Sequence, residues 1–387
     1  SYSMVTKQTS KKRIDEVVIA RAIAILAVLS VHSTSVAVVT LLPDSNAFTF
    51  YNALNTFSRF GTTTFIMLSS LVLFYSYYHR PLSKELMKRF YTNRLFYILV
   101  PYLIFSLIYT YVNSNYFADF ATFPQFWSEF IDKLLIGKAH THLYFVYISV
   151  QFYLLFPILL YFFKRFAAWT KHLIWLGFFI QWAYVLLNHY IWKYPTTGSI
   201  SLSYMSYFFT GAFIGIYYEQ IKTWIESRKS FVVFIFVLWA LTVTFHIYLW
   251  HSVRAWGAVY DTKLFSLAWN LHTYFTALVV LIVSAWLIRR APSLLLRVLI
   301  PIGNLSFGIY LIHPLYLKYY RMHVDPGGDM MMYHLFIIGS FIGSLLVSIV
   351  IVYLVLYKFK WGWIFFGAKP RPIHIERKTR GERREEA

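Results

Sequence analysis

Two ionisable side chains interrupt the first long apolar stretch of the chain. Arg21 and His32 stand eleven positions apart. That spacing is about three turns of helix and places both side chains on one helical face, about 16 Å apart along the axis. Ionisable residues at membrane depth are costly and usually functional. Arginine suits phosphate, and a neutral imidazole can accept a proton or carry an acyl group. The spacing therefore indicates one helix with an anion-binding group at one end and reactive chemistry at the other.

His313, in a later apolar stretch, is a candidate partner for His32. It lies as far from the assumed start of its helix as His32 does from its own, so the two rings reach similar depth if their helices are neighbours. Pro314 leaves the carbonyl of residue 310 without its helical donor, which predicts a kink beside the histidine. Two alternatives stay open: Arg21 can serve only as an anchor that reaches water, and either histidine can simply be packed against a neighbouring helix.

A further pair of histidines, His140 and His142, precedes the fourth apolar stretch. No third ligand accompanies them in a known zinc pattern, so we predict no metal site. The chain has no cysteine, which excludes disulfides and thiolate ligands. The sequence also lacks a glycine-rich phosphate loop, a nucleophile elbow and a dinucleotide-binding fingerprint. A nucleotide-like ligand must therefore be held by scattered side chains at helix ends.

The amino-acid composition predicts which kind of structural element positions these residues. Hydrophobic residues make up 58% of the 387 positions and charged residues 13%, whereas soluble domains carry roughly 25% charged residues. A single soluble core cannot hide this much apolar surface. The 32 tyrosines and 13 tryptophans also suit the headgroup level of a bilayer. We therefore predict an all-α polytopic membrane protein.

Apolar stretches of bilayer length recur about ten times, which predicts about ten transmembrane helices in one bundle. The first stretch is too long for a cleavable secretory signal and contains an arginine, so we expect it to remain as a span. One membrane domain is expected over residues 17–358, between a cytoplasmic segment at 1–16 and a basic, disordered cytoplasmic tail at 359–387. The expected spans are Val17–Val39, Phe60–Tyr78, Leu95–Val112, Leu143–Phe163, Leu173–His189, Ser203–Tyr218, Phe231–Trp250, Leu264–Ile288, Val298–Tyr319 and Tyr333–Tyr357.

Short basic clusters predict the orientation of these spans. The clusters precede the first span and follow every second one, whereas the other connections hold only isolated basic residues. By the positive-inside rule, both termini are expected in the cytoplasm. The net charge of +20 is interpreted as this topology signal, with some attraction for anionic lipid, and not as a nucleic-acid surface. The longest outside connection contains an amphipathic stretch, Phe123–Leu135, which we expect to lie along the outer interface.

The residues resemble the acyltransferase 3 family of membrane acyltransferases. The segment that opens at Arg13 looks closest to the branch that includes the intercellular-adhesion polysaccharide protein C of biofilm-forming bacteria. Each match is short, but they follow one another in the family's order from about Arg13 to Pro314. The matching segments are Arg21 with His32, Phe65–Ser69, Arg94 with Pro101–Tyr102, His142–Phe145, Tyr153–Pro157 and Ser306–Pro314.

The resemblance implies about ten spans and a multi-pass protein of the bacterial plasma membrane. It also implies that an acyl group, usually acetyl or succinyl, passes from cytoplasmic acyl-CoA to a sugar outside the membrane, with no tightly bound cofactor. By position, His32 is the expected catalytic histidine and Arg21 its partner, while Arg94 is the first of two arginines that hold the donor. Tyr97 stands in the place of the second arginine, which leaves Arg89 as the alternative cation.

The remaining expectations concern the outer side of the bundle. We expect His313 to take part in catalysis. The acceptor glycan is expected near four further side chains from the matching helices: His142, Gln151, Ser306 and Tyr310.

Two function classes compete. An acyltransferase needs both a cation for the donor and a base for the transfer, and the first helix offers both. The alternative is an exporter or flippase of polysaccharide without acyl transfer; such proteins often contain inverted repeats and broken helices at the midplane, which the sequence shows only weakly, at Gly308–Pro314. A receptor or scaffold without turnover does not need an arginine and a histidine on one helical face. The sequence therefore favours the enzyme.

Overall fold

The computed structural model describes residues 13–114 and 122–371. These residues form helices and connections and contain no strand, which confirms the all-α prediction for this part of the chain. The α-helices are α1 (Glu16–Thr40), α2 (Asn46–Phe57), α3 (Gly61–Tyr77), α4 (Lys84–Phe90), α5 (Phe96–Asn113), α6 (Phe123–Ile136), α7 (Leu143–Arg165), α8 (Leu173–Leu187), α9 (Met205–Ile216), α10 (Tyr218–Glu226), α11 (Lys229–Trp256), α12 (Thr262–Arg290), α13 (Ser293–Asn304), α14 (Ser306–His323), α15 (Met330–Lys358) and α16 (Trp363–Phe366).

Short helical segments of other types join several of these helices. Two continuous helical units result, one over Asn46–Tyr77 and one over Lys84–Asn113, and both are longer than the predicted second and third spans. The 3-10 segments are Ser58–Phe60, Ala167–His172, Thr197–Ser199 and Ser201–Tyr204, and the π-helical segments are Tyr91–Leu95 and Asn188–Trp192.

Seven helical units within the described ranges are long and apolar enough to cross a membrane, or eight if the bent pair α13–α14 is one span. The helices α8 and α9, which match the predicted fifth and sixth spans, have 15 and 12 residues. A straight helix of that length is shorter than the roughly 20 residues that a bilayer core requires. The chain is thus a multi-pass membrane protein by length and composition, and the number ten stays a prediction.

Helix α1 lies at the centre of the bundle and packs against α2, α3, α12, α13, α14 and α15. Its buried residues are spread around the whole helix rather than along one stripe. Small side chains let the neighbours approach closely, as membrane helices commonly do. A Cβ added at Gly303 of α13 would stand 2.0 Å from the carbonyl oxygen of Val18. The central helix therefore has helices on all sides, and Arg21 and His32 lie inside the bundle.

A similar close contact joins α3 and α9. Gly211 and Gly215 are four positions apart on α9, and a Cβ at either would approach the carbonyl oxygens of Met67 or Leu71 to 2.3 or 2.4 Å. This is the spacing of small residues that brings membrane helices together. The contact fixes α3, and through it the wall of the bundle next to α1.

The predicted ninth span, Val298–Tyr319, is two helices rather than one. Helices α13 and α14 meet at Leu305 with a bend of 77°. Glycine and asparagine at 303 and 304 are weak helix formers, and the close contact of Gly303 with α1 holds the end of α13 in place. Helix α14 passes through Pro314 to His323, so the break lies nine residues before the proline.

The amphipathic stretch predicted between α5 and α7 forms α6. Phe126 and Phe130 are buried, while Phe123, Trp127 and Leu135 are exposed. That division confirms the amphipathic helix. Its position along a membrane interface stays a prediction.

The first residues of the predicted tail lie within the described range and contain a short helix. Residues 359–371 are described and include α16, which packs on α5 through Tyr97–Trp363 and Phe105–Phe366 ring contacts at 5.4 and 5.6 Å. Phe366 is buried, whereas Phe359, Trp361 and Phe365 are exposed; the chain therefore still packs on the bundle at α16, and the boundary of the membrane domain stays a prediction. Residues 372–387, like 1–12 at the other terminus, lie outside the described ranges.

The two ends of the bundle differ in chemistry. At one end, which we call the histidine end, α1 and α14 finish and α7 and α15 begin; Thr40 and Tyr333 share a hydrogen bond of 2.9 Å there. At the other, the arginine end, α1 begins and Arg13 donates to Asn304 Oδ1 at 3.4 Å. Lys164 also lies at the arginine end, where its Nζ donates to the carbonyl of Tyr78 at 2.9 Å.

Candidate functional site

His32 and His313 meet at the histidine end. Their ring centroids lie 5.1 Å apart, and the ring of His142 lies 5.8 Å from that of His313. Helices α1, α14 and α7 each supply one ring. His142 and His313 are fully enclosed, with 1% and 0% of their surface exposed, while His32 is only partly buried. The equal depth of the first two histidines, together with the contact of α1 with α14, brings the pair together as predicted.

Backbone carbonyls fix the tautomers of the two enclosed rings. Nδ1–H of His313 donates to the carbonyl of Ile309 at 2.9 Å, and Nε2–H of His142 donates to the carbonyl of Leu311 at 3.1 Å. A carbonyl oxygen only accepts, so in each neutral ring the other nitrogen carries a lone pair. Those nitrogens, Nε2 of His313 and Nδ1 of His142, are buried without a hydrogen-bond partner. Each is an unused proton acceptor inside the bundle.

Backbone carbonyls of α14 just before Pro314 also hold side chains from neighbouring helices. The missing N–H of Pro314 leaves the carbonyl of Tyr310 without its helical donor, but the accepting oxygen here is that of Leu311. The carbonyl of Leu311 accepts both the imidazole of His142 and the hydroxyl of Tyr109, the latter at 2.7 Å. Tyr310 in turn donates to the carbonyl of His142 at 2.6 Å. The backbone oxygens of Leu311 and His142 therefore join α5, α14 and the start of α7.

Two residues of this cluster, Arg321 and Tyr109, were missed by the sequence reasoning, and His140 was considered there only as a metal ligand. Arg321 Nη2 donates to the carbonyl of His32 at 2.5 Å. Arg321 follows His313 by eight residues, two helical turns, and that spacing was the available signal. The ring of His140 stacks on Tyr109 at 4.6 Å, and burial, reinforced by the charge of Lys318, lowers the pKa of His140.

Arg21 and Arg94 lie within electrostatic range of each other at the arginine end. Their charges act on each other and on the phenol of Tyr153 in α7. Arg94 lies in the π-helical segment, an irregularity often found at functional sites. Neither guanidinium has a hydrogen bond or ion pair within residues 13–114 and 122–371. Two neighbouring cations without a carboxylate leave a position that an anion would neutralise.

The other predicted donor-binding residues do not join this pair. Arg89 is exposed on α4. The ring of Tyr97 packs on Trp363 of α16. Tyr97 therefore packs against α16 at the position where the resemblance implies a second arginine. Of the predicted donor-binding residues, the structure brings only Arg94 into the region of Arg21.

Of the four acceptor-side residues, the structure brings His142 and Tyr310 to the histidine cluster. Gln151 instead binds a connection: its Nε2 donates to Ser199 O at 2.7 Å, and Ser201 N donates to its Oε1 at 2.9 Å. Ser306 begins α14, seven residues or about 10 Å along the axis from His313. Within the described ranges, no three side chains of the metal-ligating types converge on a point.

The two clusters are connected by α1. Arg21 and His32 are on the same helix, one beside Arg94 and the other beside His313. The arrangement can hold a polyanion at one end and accept a proton at the other. A substrate that uses both clusters must extend through the bundle along α1.

Comparison with known proteins identifies the family, while the relatives carry a different functional description. The family model for acyltransferase 3, described as an acyltransferase domain, matches residues 14–353. A probable poly-beta-1,6-N-acetyl-D-glucosamine export protein of Staphylococcus aureus strain MRSA252 is 27% identical over 332 residues, which are 82% of this chain and 85% of the relative. The protein of the same description from Staphylococcus epidermidis is 26% identical over 289 residues, 71% of this chain and 73% of the relative. No solved structure matches. Because the family model covers most of the sequence, the chain belongs to the acyltransferase 3 family.

Proposed function

We propose that the protein is a membrane O-acyltransferase. It moves an acetyl or succinyl group from acyl-CoA to a hydroxyl of a cell-surface polysaccharide. One observation carries the proposal: a single central helix presents an unpaired arginine beside Arg94 at one end and an imidazole beside the unused Nε2 of His313 at the other.

The donor is assigned to the arginine end. Coenzyme A carries phosphates, and guanidinium groups bind phosphate with charge-assisted, often bidentate hydrogen bonds. Arg21 and Arg94 have their donors free for such bonds. The extended pantetheine arm runs along α1 and places the thioester near His32, about 16 Å from Arg21 along the axis.

The transfer takes place at the histidine end. A sugar hydroxyl attacks the thioester carbonyl, its proton passes to the His32–His313 pair, and the coenzyme leaves as the thiol after protonation. His313 enters this step with its tautomer fixed by Ile309. The guanidinium of Arg321, held at the carbonyl of His32, supplies positive charge where the oxyanion forms.

The orientation follows from charge. Lys164, Arg289 and Arg13 take part in contacts at the arginine end, and basic residues favour the cytoplasmic side. Both termini are therefore assigned to the cytoplasm of a bacterial cell, where acyl-CoA is made. The histidine end then faces the polysaccharide outside the plasma membrane.

Polysaccharide export without acyl transfer is the second candidate. It is favoured by the printed descriptions of the relatives as export proteins and by the broken helix pair α13–α14, since transporters commonly use broken helices. Export alone gives no role to an unpaired arginine at one end of α1 and a buried, unpaired imidazole nitrogen of His313 near its other end.

The deciding experiment compares a deletion strain with strains that carry the wild-type gene or a His32→Ala variant. Surface polysaccharide is measured for amount and for ester-linked acyl groups by mass spectrometry. The proposal expects a missing acyl substituent that wild type restores and the variant does not. A fully acylated polymer that accumulates inside the deletion strain would instead establish export.

A further inference from the structure

A cavity opens at the histidine end, between α8, α11 and α12. Its volume is about 490 Å³, within the range of about 300–1,000 Å³ that is usual for ligand sites. Aromatic rings and polar side chains alternate around it. Its wall includes Arg59, Trp182, Tyr204, His246, Trp250 and Trp269. None of the residues in the His32–His313 cluster lines it.

The charge of this cavity is one-sided. Arg59, Lys263 and two histidines line it, and no aspartate or glutamate does. Lys263 is paired with Asp261 at 3.0 Å, outside the cavity wall. Arg59 has no ion pair within the described ranges and makes one hydrogen bond, from Nη2 to Asn55 Oδ1 at 3.1 Å. Its remaining N–H donors are available to a ligand.

Arg59 is held rigidly in place. Its guanidinium lies 4.8 Å from the centre of the Trp250 ring, and Arg254 lies 4.7 Å from the same ring. The indole N–H of Trp250 donates to Nε2 of His246 at 3.1 Å. Two like charges beside one ring repel each other. An anion near Arg59 would relieve that repulsion.

The cavity is connected to the central helix through one side chain. Asn55, which holds Arg59, donates from Nδ2 to the carbonyl of Val31 and to Thr34 Oγ1, both at 3.1 Å. Val31 and Thr34 flank His32 in the sequence. The residue that positions the cavity's cation is therefore bonded to the same turn of α1 that carries the reactive histidine.

We infer that this cavity binds an acidic sugar unit of the acceptor polysaccharide, one that carries a carboxylate or phosphate group. Tryptophan and tyrosine rings pack against sugar faces, the amides and hydroxyls of the wall pair with sugar hydroxyls, and Arg59 pairs with the acidic group. The bound unit lies beside the unit that is acylated and positions the polymer at α1. The assignment of this cavity as an acceptor subsite rests on the proposed function.

Oligosaccharide binding, measured without acyl transfer, tests this inference. The full chain carrying His32→Ala is placed in phosphatidylcholine nanodiscs and titrated calorimetrically with hyaluronan tetrasaccharide, which is acidic, and with chitotetraose, which is neutral. We expect at least tenfold tighter binding of the acidic probe at low salt, with a preference that falls as salt rises. A phosphorylated sugar that competes for the site places phosphate among the accepted groups.

Substitutions at two arginines test whether the preference for the acidic probe depends on the cation of the cavity wall. Arg59→Gln should abolish the preference for the acidic probe, and Arg59→Lys should restore part of it because charge remains while the planar fork is lost. Arg254→Gln is the matched comparison, since it removes a cation from the same ring but not from the cavity wall; it should weaken the preference for the acidic probe far less than Arg59→Gln does.

Equal affinity for both probes, or an unchanged preference in a folded Arg59→Gln protein, would overturn the inference. So would a site that responds only when phosphatidylglycerol is added to the nanodisc, because it would then belong to a lipid headgroup. None of these outcomes depends on acyl transfer. The acyltransferase proposal is tested separately, by the acyl content of the surface polysaccharide.

Discussion

Replacing His313 by asparagine isolates the proton acceptor from the packing of the site. The buried imidazole uses Nδ1–H to bind the carbonyl of Ile309 at 2.9 Å and leaves Nε2 without a partner. An asparagine amide can make the first bond but offers no basic nitrogen at the second position. The substitution therefore keeps the backbone contact beside Pro314 and removes the group that accepts the proton.

The expected loss is in turnover. General acid–base catalysis typically contributes about 10²–10⁴-fold to rate, so His313→Asn should lower kcat by that factor, or about 3–5 kcal/mol of activation free energy. The affinity for acyl-CoA should change little, because Arg21 and Arg94 lie at the opposite end of the bundle. His313→Ala removes the backbone bond as well, so it should lower transfer more than expression and also lower thermal stability.

The assay uses purified protein in nanodiscs, labelled acetyl- or succinyl-CoA, and polysaccharide from the deletion strain as acceptor. Size-exclusion chromatography and thermal melting establish that each variant is folded. His334→Asn is the matched control: His334 bonds Tyr51 at the same end of the bundle but lies outside the cluster. A folded His313→Asn protein that keeps wild-type turnover would refute the catalytic role and leave His313 as a packed residue.

Three further predictions concern other parts of the bundle. Arg21→Ala should raise the donor KM with a smaller effect on kcat, and Arg21→Lys should rescue it only in part, because lysine lacks the planar fork; full rescue by lysine in steady-state kinetics would make the arginine an anchor. His32→Ala should lose turnover by about 10²–10⁴-fold while isothermal titration shows unchanged acyl-CoA binding, and normal turnover would place the catalytic centre elsewhere. Gly303→Ala should cost about 1–3 kcal/mol of stability by overpacking, since its Cβ would meet Val18 O at 2.0 Å, whereas Gly328→Ala, with open space around it, should melt like wild type.

Topology can be tested in the same strains. Reporter fusions beyond Lys369 should report the cytoplasm, and fusions within α6 should report the outside, because the basic clusters favour the cytoplasmic side. A tail that is accessible only from outside would reverse the orientation and place the histidine end in the cytoplasm.

Much of the fold was predictable because membrane helices are encoded locally. An apolar stretch of bilayer length forms a helix whichever neighbours it has, since lipid offers no partner for an unsatisfied backbone group. The predicted Val17–Val39 and the observed Glu16–Thr40 differ by one residue at each end. The predictions fail where the backbone departs from a straight helix, at the 77° break between α13 and α14.

For the site, the sequence predicted only the depth of each side chain along its helix. Counting residues from the start of each helix indicates depth, and depth alone suggested that His32 and His313 are level. It does not indicate which helices are neighbours or which way a ring points. Tyr97 and Gln151 had the expected depth or motif position, yet their side chains bind α16 and the Ser199–Ser201 connection.

The sequence by itself determined the class of molecule, the helix that carries Arg21 and His32, and the separation of about 16 Å between them, because each depends only on nearby residues. The tertiary structure alone decided that Arg94 lies within electrostatic range of Arg21, that Arg321 reaches His32 and that carbonyls of α14 select the tautomers of His142 and His313. Those contacts join segments up to 289 positions apart in the chain. They form only when α7 and α14 are packed around α1, since a side chain's direction around its helix has meaning only once its neighbours are in place.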